Sequence, residues 1–151
     1  MDSMLFFIRF VLGAIVLMML VFFIVVPLTN KYLIPSRHGR NAVSVINTWV
    51  LQLRDDLSAT TSVTELQTVV YISMDTDEKI SLGKSFGSRA YDNEHKICLY
   101  SPEKRIDKYC KTFLDTIAFH PFTIEGRGEN NQIETTIKVT KNGEGYEVTI
   151  T

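Results

Sequence analysis

Apolar positions fall into three patterns along the chain. From Phe10 to Leu28 an uncharged apolar run of 19 positions goes uninterrupted. As a helix rising about 1.5 Å per residue it reaches about 28 Å, close to the hydrocarbon thickness of a bilayer. With the apolar stretch Met4–Ile8 added, the pattern predicts one membrane-spanning helix over about 5–28. Arg9 can bury its aliphatic stem and send its guanidinium to the headgroups. Pro27 removes one helical hydrogen bond and should kink or end the helix. Arg9, Lys31 and Tyr32 are therefore the expected interface anchors.

A second pattern follows the break at Pro35–Gly39. Val43, Ile46, Val50, Leu53 and Leu57 recur at alternating steps of three and four, with Ala42 and Trp49 beside them. This predicts an amphipathic helix within 36–60, capped by Ser36 or Asn41. Such a stripe packs on a sheet of its own domain, self-associates as a short coiled coil, or lies on a membrane surface. The adjacent acids Asp55 and Asp56 oppose the last use, and packing is the commonest fate of so short a stripe.

Beyond the Ser/Thr-rich link 58–64 the period drops to two and β-branched residues take over. Leu66–Met74 reads as a strand, 75–78 as a turn, and Lys79–Lys84 as its hairpin partner. Ser85–Glu94 reads as a loop and Lys96–Tyr100 as a strand stopped by Ser101-Pro102. Ile106–Phe113 fits a strand or a helical turn. Thr116–His120 and Phe122–Glu125 are short extended pieces separated by Pro121. Alternation over Ile133–Val139 and Tyr146–Ile150, with Asn142-Gly143 between them, carries a hairpin signal. The expectation is an α+β chain: a membrane anchor at 1–35, the amphipathic helix at 36–60, and one small antiparallel sheet domain at 61–151 packed with that helix.

Composition sharpens this picture at two points. Of 151 residues, 45 % are hydrophobic, but that value averages an oily N-terminus and a polar remainder. What remains after the anchor suffices for one small domain. Sixteen Lys and Arg against 17 Asp and Glu, intermixed along the chain, leave no basic footprint, which sets nucleic acid aside as a partner.

Candidate chemistry is sparse. Cys98 and Cys110 form a bridge closing a loop of about 13 residues in an oxidising compartment, or stay free and buried in a reducing one. His95 and His120 complete a two-His, two-Cys set, but without the paired close spacings of zinc modules, so no metal or other cofactor is expected. His120, between Phe119 and Pro121, reads as partly buried in an apolar turn. Asp75, Asp77 and Glu78 read as a solvated hairpin tip rather than a calcium loop. Gly126-Arg127-Gly128 is a turn. With no nucleophile elbow, phosphate loop or dinucleotide fingerprint, no catalytic residue is assigned and an enzyme is not expected.

Orientation has two readings. Lys31, Arg37 and Arg40 follow the span, and the positive-inside rule taken literally puts the domain in the cytosol, as a membrane-tethered adaptor. A short tail with Arg9 before an apolar core, without a small-x-small cleavage site after it, is the pattern of an uncleaved signal anchor with an exported domain.

The order of parts, with the segment Lys96-Ile97-Cys98-Leu99 and a second Cys downstream, resembles small single-span membrane proteins of archaea whose function is uncharacterised. That resemblance implies an exported, membrane-tethered domain at the cell surface, with no activity attached. A second resemblance is to type IV pilin-like subunits, which implies filament assembly through the apolar helix. Here Gly13 lies inside the apolar run, and Pro35 and Gly39 interrupt what should be a nearly continuous helix. The expected function is a single-pass protein anchored in the lipid bilayer by its apolar helix, its small exported α+β domain a binding or structural module, with protein contacts or self-association through the amphipathic helix.

Overall fold

The computed structural model describes residues 2–33, 35–84, 92–103 and 106–151, without the side chains of residues 2, 30–33, 84, 92 and 106. The chain divides into two units, Met1–Ile34 and Pro35–Thr151.

The first unit is helical. Helix α1 spans Asp2–Leu20, a π-helical stretch Val21–Val25 follows, and α2 covers Val26–Leu33. Ser3–Thr29 is long and apolar enough to cross a bilayer, and none of its most apolar stretch is buried within the chain. A signal sequence at this end of a chain meets the same test of length and composition. Pro27 neither ends the helix nor stands inside a regular turn: the wider register lies just before it, with the Val26 N–H donating to the Val21 carbonyl. A proline ring presses on the carbonyl four residues back, and a π turn there relieves the crowding. Thr29 Oγ1 lies 2.9 Å from both the Val25 and Val26 carbonyls, giving the backbone around the proline a polar partner where lipid offers none. Arg9 lies on the exposed surface of α1. The side chains of Lys31 and Tyr32 lie outside the described residues.

Among the described residues the second unit is α+β, built from α3 (Arg37–Ala59) and eight strands. Ser36 caps α3, its Oγ accepting the Gly39 N–H at 2.8 Å, so the helix begins inside the stretch expected to be a break. Val43, Ile46, Val50 and Leu57 are fully buried and Leu53 nearly so, the stripe read from the sequence. Burial of each such side chain stabilises the fold by about 1.5–3 kcal/mol. The stripe lies in the core, in contact with β1 (Glu65–Ile72), β7 (Ile133–Asn142), β3 (Asp92–Ser101) and β4 (Ile106–Thr112).

Among the described residues two four-stranded sheets replace the expected single one. With β2 at Lys79–Lys84, β5 at Ile117–Phe119, β6 at Thr123–Glu125 and β8 at Gly145–Ile150, their orders are β1-β7-β8-β5 and β4-β3-β2-β6. The expected hairpin between Leu66–Met74 and Lys79–Lys84 does not form. β1 pairs with β7, Val70 opposite Thr135, whereas β2 pairs with β3 and β6. Residues 75–78 thus carry the chain from one sheet to the other. The pieces on either side of Pro121 also part, β5 running parallel to β8 and β6 antiparallel to β2.

Of the expected loop over Ser85–Glu94, positions 85–91 lie outside the described residues, and β3 begins at Asp92. Ile106–Thr112 is a strand, resolving the ambiguity there. The β7–β8 hairpin turns as its Asn-Gly signal predicts, with Asn142 opposite Gly145 and Gly143 at φ +61°, a conformation that L side chains rarely adopt.

Candidate functional site

Three polar constellations stand out in the Pro35–Thr151 unit. The first forms where α3 begins. Glu78, expected at a solvated tip, is fully buried. Its Oε1 accepts the Ser36 backbone N–H at 2.9 Å and the Lys108 ammonium at 3.1 Å, and its Oε2 accepts the Ser36 hydroxyl at 2.5 Å. Lys108, on β4, is only 4 % exposed at its side chain and also approaches Asp77 at 3.9 Å. A carboxylate here meets the unpaired N–H groups of a helix N-terminus, so the helix start and the ammonium together compensate its charge.

Two glycines make room for the node. A Cβ on Gly39 would stand 2.4 Å from Glu78 Oε2 and 2.7 Å from Leu99 Cδ2. Gly126 donates its N–H to the Glu78 carbonyl at 2.9 Å and has the Asp75 carbonyl where a Cβ would project. Around this node, Arg40 lies 5.3 Å from the Tyr109 ring centroid, and His38 lies 3.4 Å from Ser73 Oγ and 3.7 Å from Glu129. Asp75, half-buried, has an Oδ1 with no hydrogen-bond partner. Burial first, then the charges of Glu78, Glu129 and Asp77, push its carboxyl above the usual aspartate value, against a smaller pull from His38.

The second constellation is the β3–β4 pair. Cys98 and Cys110 stand directly opposite in register, Cα atoms 4.1 Å apart, and are joined as a disulfide. Gly83 on β2 lies against this bridge, for a Cβ there would come within 3.0 Å of Cys98 Sγ. Among the described residues, Cys98, Asp107 and Cys110 are brought together as possible metal ligands. The two sulfurs are bonded to each other, so neither offers the thiolate that nucleophilic attack or zinc binding requires.

The histidines of the two-His, two-Cys set lie elsewhere. His95 Nδ1 contacts the Ile117 carbonyl at 2.8 Å, and His120, exposed rather than partly buried, pairs through Nε2 with Glu147 at 3.3 Å. Glu147 also accepts from the Asn142 amide at 2.7 Å, and these two bonds hold its carboxyl below the usual glutamate range. His95 and Glu147 line one shallow groove of about 270 Å³, the third constellation.

Glu78, Lys108 and Gly39 carry no periodicity that marks them. Only Ser36 was visible beforehand, as a cap. No protein-family model, curated protein or solved structure matches this chain.

Proposed function

We propose that the protein is a single-pass membrane protein whose α+β domain, held outside the cytoplasm, serves as a binding or structural module. The observation that carries this reading is an apolar helix without a buried face, joined by a few residues to a unit with its own core. The Cys98–Cys110 bond supports the exported side, because disulfides persist in oxidising compartments and are rare where thiol buffers act. The saturated Glu78 node supports a structural role for its ionisable groups: each Glu78 oxygen already has donors, and Lys108 is held against it.

The test is the intact mass of the protein extracted from its native membrane, alkylated with and without prior reduction. The proposal expects the full-chain mass, resistance to alkaline carbonate extraction, and alkylation of both cysteines only after reduction. Alkylation without reduction would overturn the exported orientation in favour of a cytosol-facing adaptor. A mass lacking the apolar segment would overturn the anchor, and trimming just ahead of it would favour pilin-like processing.

A further inference from the structure

Among the described residues the two sheets end in four edge strands, β1 and β5 in one and β4 and β6 in the other. An exposed edge invites pairing with another chain, and folded proteins protect such edges by shortness, charge or irregularity. β5 and β6 are three residues each. β4 carries Asp107, Lys108 and Lys111, and its ladder with β3 shifts register between Leu99 and Tyr100. β1 has none of these devices. It runs for eight residues in unbroken register with β7 and holds no proline, and its one charge, Glu65 at the first position, is paired with Lys138 at 2.9 Å.

The ladder fixes which backbone groups face outward. Lys141 donates its N–H to the Thr64 carbonyl at 2.8 Å, and hydrogen-bonded pairs alternate along an antiparallel ladder. Leu66, Thr68, Val70 and Ile72 therefore direct their N–H and C=O groups to β7, while Glu65, Gln67, Val69 and Tyr71 turn theirs to the open edge. The side chains of those four are exposed, Val69 by 48 % and Tyr71 by 59 %.

We propose that β1 pairs antiparallel with β1 of a second copy of this chain, about a two-fold axis at Thr68. Glu65 then lies opposite Tyr71 of the partner subunit, and Gln67 opposite Val69 of the partner subunit. All four outward-facing residues are used, for about eight hydrogen bonds, and no like charges meet. An axis at Val69 would instead leave Glu65 opposite Ser73 of the partner subunit, beyond the end of β1. On the inner face the half-buried Leu66 comes opposite Val70 of the partner subunit, so side chains on both faces of the edge gain apolar neighbours. A second copy fits better than an unrelated extended peptide because the strand is its own complement, the same residues exchanging places across the axis. Chains anchored in one bilayer also meet at a raised effective concentration. This inference rests on the reading of the protein as a membrane-tethered module and supplies that module's partner.

The test weighs the full chain in detergent micelles by multi-angle light scattering, with the detergent mass subtracted. Two chains per particle are expected. Val69→Lys, on an exposed side chain, puts cations on the pairing edge and should weaken the dimer about tenfold or more with unchanged circular dichroism. Val69→Pro removes an N–H that β7 does not use and should abolish the dimer. Thr68→Cys sets two thiols face to face in a non-hydrogen-bonded pair, Cα atoms about 4.5 Å apart and within disulfide reach. Mild oxidation should then join the two chains, whereas Thr123→Cys, on β6 of the other sheet, should stay uncrosslinked. One chain per particle, a dimer indifferent to both Val69 variants, or a Thr68→Cys chain left single by oxidation would overturn the pairing. The first result would leave the edge to an extended peptide of another protein, and the second would move the dimer contact elsewhere on the chain. Carbonate extraction reads the anchor separately: single chains still held in the membrane reject this inference alone, and a released chain that still dimerises rejects only the anchor.

Discussion

Gly39 shows how much one missing methyl can decide. Its hydrogen faces Glu78 Oε2 and Leu99 Cδ2 in a space closed to a Cβ. Gly39→Ala should therefore destabilise the fold by about 1–3 kcal/mol despite alanine's better helix propensity, measured as a lower urea midpoint. Removing the carboxylate is harsher. Glu78→Ala strands an ammonium that is only 4 % exposed and frees the Ser36 cap, and a loss of about 3–5 kcal/mol is expected in the same assay. Asp75 works in the opposite sense. Its folded carboxyl is raised, so its contribution to stability is complete below the ordinary aspartate value and is lost as pH rises through the raised one. Asp75→Asn should then raise the urea midpoint near neutral pH and change little near about pH 3. The gain should stay under about 1 kcal/mol, because solvent screens these charges.

Among elements, the β3–β4 pair carries the covalent bond. Its two cysteines are 12 positions apart in sequence. Exchanging both for serine should cost about 3 kcal/mol on the chain-entropy model, read as a lower thermal midpoint that reductant then leaves unchanged. The same element scale divides what was legible in the sequence from what was not. Helix α3 was legible because its stripe, Val43 to Leu57, is written in steps of three and four that a helix brings to one face. The β7–β8 hairpin was legible because Asn142-Gly143 specifies its own turn. Residues 75–78 were misread because a polar tetrad between two strands looks the same whether the chain turns back or crosses to another sheet. Glu78 was misread with them: its burial depends on Ser36, 42 positions earlier, and Lys108, 30 later. No local pattern records such partners. The Cys98–Cys110 pairing was one of two readings because spacing alone does not say which strands lie side by side.

For the whole molecule, two units divide at Ile34–Pro35. The buried core belongs to the second, from Ala42 to Ile150. A fragment Pro35–Thr151 should fold alone, giving dispersed amide NMR spectra and a single cooperative thermal transition; an aggregated or disordered product would contradict the division. The two sheets should melt together, because the chain passes between them at 75–78 and again around Pro121 while α3 touches both.

The pairing of β1 with β7 has a consequence for biosynthesis. Among the described residues β1 finds its strand partner only in β7, so Val70 must wait for Thr135 to be made. Until then the uncharged stretch Leu66–Met74, rich in β-branched side chains and free of proline, emerges with an open edge. The β7–β8 hairpin thus acts as an internal chaperone that follows the other described strands off the ribosome, and a ribosome that stalls before Ile133 leaves an adhesive strand on the nascent chain.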